Sequence, residues 1–162
     1  DRGFFSRFFC AGEFAAAGFP LPVAQINHTL TGQAGTVRGM HLQLSPHAEV
    51  KLVSCLRGEV FDVVLDLRRG SPTFLQWHGE ILSDVNRRSI VVPKGCAHGF
   101  QALRDDCELL YLHSEPYCAA AEYGVHVDDP RLAIAWPLPV AGLSGRDLAH
   151  PLLSNDFQGV EA

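Results

Sequence analysis

Val50-Lys51-Leu52-Val53-Ser54-Cys55-Leu56-Arg57-Gly58-Glu59-Val60-Phe61-Asp62-Val63-Val64-Leu65-Asp66-Leu67 is the stretch from which the fold is read. Residues 50–56 and 60–67 are short apolar runs rich in valine. They are broken at Arg57-Gly58, and each has the length of a strand rather than a helix. The same grain continues on both sides. Strands are predicted at residues 23–29, 36–43, 50–56, 60–67, 74–82, 89–92, 99–103, 108–113 and 123–127. Turn residues separate them at Thr31-Gly32, Ser45-Pro46, Gly70-Ser71-Pro72, Asp84 to Asn86, Pro93-Lys94-Gly95 and Arg104 to Asp106. Many short strands at regular spacing specify an all-β sandwich or jelly roll and not a βαβ fold. Residues 7–17 read as a short N-terminal helix stopped by Gly18 and Pro20, and Ser144-Gly145-Arg146-Asp147 opens a short C-terminal helical segment.

Composition sets the outer limits. The chain has 162 residues, enough for one domain with a substantial core, and residues 1–162 are read as a single domain. Charged residues make up 19%, below the usual ~25%, which points to surface buried against a second subunit. The net charge of -5 gives no basic footprint for nucleic acid. No apolar run reaches the ~18 residues of a membrane span, so no membrane partner is expected. Five cysteines without close pairs exclude a zinc ribbon. The odd count leaves at least one thiol free, which favours a reducing cytoplasm.

Function is read from polar residues that interrupt apolar strands. His41 and Gln43 share one strand face, Lys51 leads Val53 and Cys55, Asp62 lies between Val60 and Val64, and Tyr111 lies between Leu109 and His113. Buried charge is costly unless paired, so such residues from separate strands imply one polar pocket inside a barrel. Lys51 is one of only two lysines beside eleven arginines. Its bland alternative is an edge-strand charge that blocks aggregation. His28, His47, His78, His126 and His150 are left as surface or structural residues by default.

Pro93-Lys94-Gly95-Cys96-Ala97-His98 has the P-x-G-x-x-H spacing of the second cupin motif. The first motif is incomplete. It reads His41-Leu42-Gln43, with Gln43 where a second histidine would stand and Glu49 further along than the pattern prefers. Two histidines with a displaced carboxylate favour a cupin-type barrel without a catalytic metal or other cofactor. The alternative is a metal-dependent cupin isomerase or dioxygenase using His41 and His98, with Glu49 and Gln43 as further ligands. A third reading is a non-catalytic sugar- or nucleotide-binding jelly roll.

Along nearly its whole length the chain resembles the dTDP-4-dehydrorhamnose 3,5-epimerase family. The matching pieces run in order from Arg2-Gly3-Phe4-Phe5 through Gln25-Ile26-Asn27-His28, Arg38-Gly39-Met40-His41-Leu42-Gln43, Lys51-Leu52-Val53 and Gly58 to Val63. They continue with Asp66-Leu67-Arg68, Ser71 to Phe74, Pro93 to Phe100, Asp128-Asp129-Pro130, Ile134 to Pro137 and Leu143 to Asp147. The resemblance implies a cupin-type jelly-roll homodimer that epimerises a nucleotide-linked 4-keto-6-deoxy sugar at C3, C5 or both. It implies His41 as general base, Tyr111 as general acid and Asp147 as the partner of His41. It pairs Asp62 with His98 and sets Lys51 beside the 4-keto oxygen with Arg38 near it. Arg2, Gln25, Asn27 and Tyr117 would bind the nucleotide. It further implies a strand-forming segment ahead of Arg2, which the opening Asp1-Arg2-Gly3-Phe4-Phe5 does not include. Pro116 stands where the family commonly has an aromatic residue, and Met40 and Leu42 flank His41 where Leu and an aromatic are commoner.

Overall fold

The computed structural model describes residues 2–19 and 22–162. The expected stop at Pro20 lies outside the described residues. Among the described residues nine strands run in chain order as β1 (Gln25–Thr31), β2 (Val37–Gln43), β3 (Lys51–Arg57), β4 (Glu59–Asp66), β5 (Trp77–Ser83), β6 (Ser89–Val92), β7 (Cys96–Ala102), β8 (Cys107–His113) and β9 (Glu122–Gly124). Two short helices, α1 (Ala11–Ala16) and α2 (Gly145–Ala149), flank them. The strands form two antiparallel sheets, β1-β8-β3-β6 and β5-β4-β7-β2-β9, as a jelly roll requires.

All nine predicted strands exist, with ends shifted by a few residues. The start of β5 comes later than expected. Residues 74–76 leave the strand because Leu75, with φ 63°, turns the chain back so that its amide bonds the Asp66 carbonyl. Strand β7 starts earlier than expected because Cys96 already pairs with Asp66 on β4. The N-terminal helix is shorter than expected, since the Arg7 to Cys10 segment is not helical.

Three apolar layers hold the sheets. Between them, Val53, Cys55 and Leu109 of the four-stranded sheet meet Val60, Leu82, Phe100 and Ala102. The outer face of the five-stranded sheet (Val37, Met40, Leu42, Val63, Leu65, Ala97) is covered by the C-terminal segment through Val125, Val127, Leu132, Ile134, Leu153 and Val160. The outer face of the other sheet, at Val50, Leu52 and Leu112, is covered by Phe9, Phe14 and Phe19 around α1. Full burial of each Val, Leu, Ile, Phe or Met side chain among them contributes about 1.5–3 kcal/mol. Sealing the outer face of β2 in this way brings the C-terminal α2 against β2.

Candidate active site

The apolar filling stops short of one end of the barrel. There a cavity of about 430 Å³ opens between the sheets. The four-stranded sheet lines it with Asn27, Thr29, Lys51, Tyr111 and His113, and the five-stranded sheet with Arg38, His41, His98 and Phe100. Gly142, Ser144, Arg146 and Asp147 close it from the C-terminal segment. Register explains the grouping. Lys51 faces His113 across β3 and β8, Asn27 faces Tyr111 across β1 and β8, and His41 faces His98 across β2 and β7.

Arg38 and His41 are three residues apart and in a regular strand would point to opposite faces. The β2–β7 register shifts between them. At the shift Gly39 adopts φ 144° and its backbone crosses β7 so closely that a Cβ would lie 2.6 Å from the Gly99 Cα. This bulge turns both side chains into the cavity.

Each cavity histidine has an acidic partner. His41 Nε2 bonds Asp147 Oδ1 at 2.6 Å across 106 residues of chain. Ser144 caps α2 by accepting from the Asp147 amide at 3.1 Å, which fixes the carboxylate against β2. With its proton on Nε2 and directed at Asp147, the His41 ring keeps a lone pair on Nδ1, which has no protein partner among the described residues. Burial pushes the His41 pKa below its ordinary 6.5, against the opposing pull of Asp147 and with help from Arg146 and His150. The ring is therefore neutral at pH 7. His98 Nε2 lies 2.9 and 3.0 Å from the two oxygens of Asp62, which is fully buried.

Lys51 lies on an interior strand of its sheet and is buried, so the edge-charge alternative falls. Its ammonium is 3.3 Å from Glu49 Oε1 and donates to the His41 carbonyl at 3.3 Å. Glu49 also bonds His113 Nδ1 at 2.7 Å, and His113 Nε2 meets the Asn27 amide at 3.3 Å. Burial works against the Glu49 carboxylate. The His113 hydrogen bond and the Lys51 charge outweigh it and hold its pKa below the usual range. Burial pushes the Tyr111 hydroxyl well above its ordinary value, so it stays protonated.

The ligand set of the metal-cupin alternative is not assembled. Glu49 turns to His113 and Lys51, while Gln43 donates to the His47 and Pro116 carbonyls and accepts from the Cys118 amide. The expected nucleotide residues divide. Gln25 bonds both the Asn27 side chain and the Tyr117 amide, and the exposed Tyr117 donates to Glu122, which also holds Arg146. These residues form one strip at the cavity mouth. Arg2 is exposed ahead of α1 and does not line the cavity.

Two site residues, His113 and His150, escaped the sequence reading, and a third, Glu49, entered it only as a ligand of the metal-cupin alternative. His113 had a signal, since it alternates with Tyr111 on one strand face. Glu49 alternates in the same way with Lys51. His150, left among the surface residues, has only 12% of its side chain exposed and its ring sits 5.2 Å from that of His41.

The family model for dTDP-4-dehydrorhamnose 3,5-epimerase matches residues 1–155. The chain belongs to the dTDP-4-dehydrorhamnose 3,5-epimerase family. It is 47% identical to a dTDP-4-dehydrorhamnose 3-epimerase of Streptomyces niveus, over 94% of this chain and 74% of the relative. It is 43% identical to the dTDP-4-dehydrorhamnose 3,5-epimerase of Mycobacterium tuberculosis, over 100% of this chain and 80% of the relative. The crystal structure of dTDP-6-deoxy-D-glucose-3,5-epimerase from Legionella pneumophila, in complex with dTDP-4-keto-L-rhamnose, superposes with a TM-score of 0.88. That similarity is at 44% identity and covers 94% of this chain and 81% of the other. The cupin-type jelly roll expected from the resemblance is thus the fold of the family.

Proposed function

We propose that this family member epimerises a thymidine-diphosphate-linked 4-keto-6-deoxy sugar, with His41 as the base and Tyr111 as the acid. The carrying observation is their placement. His41, oriented by Asp147, projects from one sheet and Tyr111 from the other, so they face the cavity from opposite walls. Inversion of a carbon demands a proton removed on one face and returned on the other.

The chemistry follows from the residues. A ketone at C4 acidifies the hydrogens at C3 and C5. His41 Nδ1 takes one of them, and the buried Asp147 carboxylate supports the imidazolium that forms. The electron pair moves into an enolate whose charge falls on the C4 oxygen. Lys51, its ammonium held by Glu49 and the His41 carbonyl, supplies a cation for that oxygen, with Arg38 near it. Tyr111 protonates the carbon from the far side, and both groups reset by exchanging protons with water. Asp62 fixes the His98 ring that borders the cavity. Gln25, Asn27 and Tyr117 hold the nucleotide at the mouth, and Arg2 joins them on the strength of the resemblance.

The whole chain serves as one domain in a homodimer in the cytoplasm. Two features support this. Ile26 (61% exposed) and Leu30 (55% exposed) leave two apolar side chains uncovered on the edge strand of the four-stranded sheet, either side of the His28–Glu108 pair. All five cysteines are free. Among the described residues no helix is long and apolar enough to cross a membrane.

Incubation of the protein with dTDP-4-keto-6-deoxyglucose in D₂O, followed by mass spectrometry, tests the activity and its regiochemistry. Two incorporated deuteriums are expected for reaction at C3 and C5, and one for a single centre. Absence of exchange defeats the proposal.

A further inference from the structure

Two buried side-chain atoms lack a hydrogen-bond partner among the described residues, Thr29 Oγ1 in the cavity wall and His150 Nε2 behind His41, and only the second can ligate a metal through an sp2 nitrogen. His150 Nε2 is shielded from solvent and has no hydrogen-bond partner. A buried nitrogen left unsatisfied is destabilising, so its position calls for a cause. The ring is also fixed. It lies over Gly124, where any Cβ would overlap it, and Gly124 is the residue that pairs with His41 across β2 and β9. His150 Nε2 is 3.9 Å from Asp147 Oδ1, the oxygen already bonded to His41 Nε2. Ligand atoms of His41, Asp147 and His150 all lie within 4.8 Å of one another.

We infer that His41, Asp147 and His150 form an inhibitory site for a zinc-like divalent cation. Two imidazoles and one carboxylate are a donor set that suits zinc and is unsuited to magnesium or calcium. Zinc bonds of about 2.0–2.1 Å require ligand atoms roughly 3.3 Å apart. The 2.6 Å His41–Asp147 spacing must open and the 3.9 Å Asp147–His150 spacing must close, each by well under 1 Å, and the two imidazole nitrogens, which lie within 4.8 Å of each other, must close by up to about 1.5 Å. The residues differ from the His41, His98 and Glu49 set of a metal cupin, and the consequence is opposite. A neutral imidazole that gives its Nε2 lone pair to a metal carries its one proton on Nδ1. Metal binding therefore moves that proton from Nε2 to Nδ1, with no net release, and removes the lone pair that would abstract the sugar hydrogen. The cation silences the base by fixing the wrong tautomer, and the fourth position is left to water.

The inhibitory consequence rests on His41 being the base, whereas the existence of the site does not, and two measurements separate them. Both use the chain with Cys10→Ser and Cys118→Ser, the two thiols that are not buried. In the first, Co²⁺ is titrated in and visible absorption recorded. Tetrahedral bands at one equivalent are expected, and His150→Ala is expected to abolish them. No bands, or the same bands in the variant, overturn the site. In the second, deuterium exchange into dTDP-4-keto-6-deoxyglucose is followed against Zn²⁺, each variant being compared with its own rate in chelator. Zinc is expected to stop exchange, with Mg²⁺ at the same concentration without effect. His150→Ala is expected to need about tenfold more zinc or above, since even outer-shell partners change metal affinity 10–100-fold. Equal zinc sensitivity in the two overturns the site as the cause. Cobalt bands that need His150, together with full exchange in the metal-loaded protein, keep the site and overturn His41 as the base.

Discussion

The two histidine–aspartate pairs of the barrel carry the same chemistry and differ in how they are built. His98 and Asp62 come from adjacent strands, β7 and β4, and their meeting is fixed by sheet register. Asp62 is fully buried and gives both oxygens to one ring nitrogen. His41 and Asp147 come from a strand and from a helix far along the chain. Their contact exists only because the C-terminal segment folds back over the five-stranded sheet. That pair holds one short bond and leaves the other face of the imidazole free. The lesson is that a pair inside the sheet suits support, whereas a pair across its edge can hold a ring with one nitrogen satisfied and the other open.

The contrast can be broken in stages. The largest effect is expected at His41. His41→Asn removes the base with little change in volume and is expected to lower turnover at least about 10²-fold, with thermal stability near that of the parent. Near-normal turnover in D₂O-exchange assays would defeat the assignment. Asp147→Asn is expected to act on the same step through tautomer and charge. Activity rises with pH as His41 loses its proton. The Asp147 charge raises the His41 pKa, so its removal should shift the acid limb of the pH–rate profile to lower pH in chelated buffer. A profile that stays in place breaks the link between the two residues.

Damage to the other pair is expected to register as stability. Asp62→Leu leaves His98 without its partner inside the barrel and is expected to cost about 3 kcal/mol, read as a lower denaturant midpoint. A large loss of turnover with an unchanged midpoint would erase the distinction between the pairs. The smallest effect belongs to the Glu49–His113–Lys51 network. The folded pKa of Glu49 lies below its ordinary 4.5, so its contribution is present above pH 4.5 and is lost as pH falls through the folded value. Glu49→Gln should flatten that part of the stability-versus-pH curve, and an unchanged slope would remove Glu49 from it.

Legibility of the site follows the same division. Lys51, Asp62 and Tyr111 could be found because each is a polar residue in an alternating apolar strand, and alternation assigns a face, whereas His98 could be found through the P-x-G-x-x-H spacing that ends on it. Asp147 sits in a short helix where no periodicity points inward, and only the family resemblance named it. His113 obeyed the alternation rule beside Tyr111 and could have been included. His150 has a weaker signal, its position three residues after Asp147, which becomes meaningful only when α2 is seen to lie against β2. Arg38 and His41 could not be placed on one face by alternation, because the bulge at Gly39 that joins them depends on the close crossing with Gly99.

The sequence by itself determined the nine strands, the all-β class and the polar residues of the barrel wall. These rest on local patterns of hydrophobicity and turn chemistry, which act over a few residues. The tertiary structure decided which nitrogen of His41 is tied up, what holds Lys51, and that His150 stands beside the base. Lys51 is held by Glu49 and by the neighbouring sheet's His41 carbonyl. The two facts about His41 arise from contacts with a segment 106 or more residues along the chain, set by packing of the C-terminal segment on an apolar sheet face. No local pattern encodes where such a segment comes to rest.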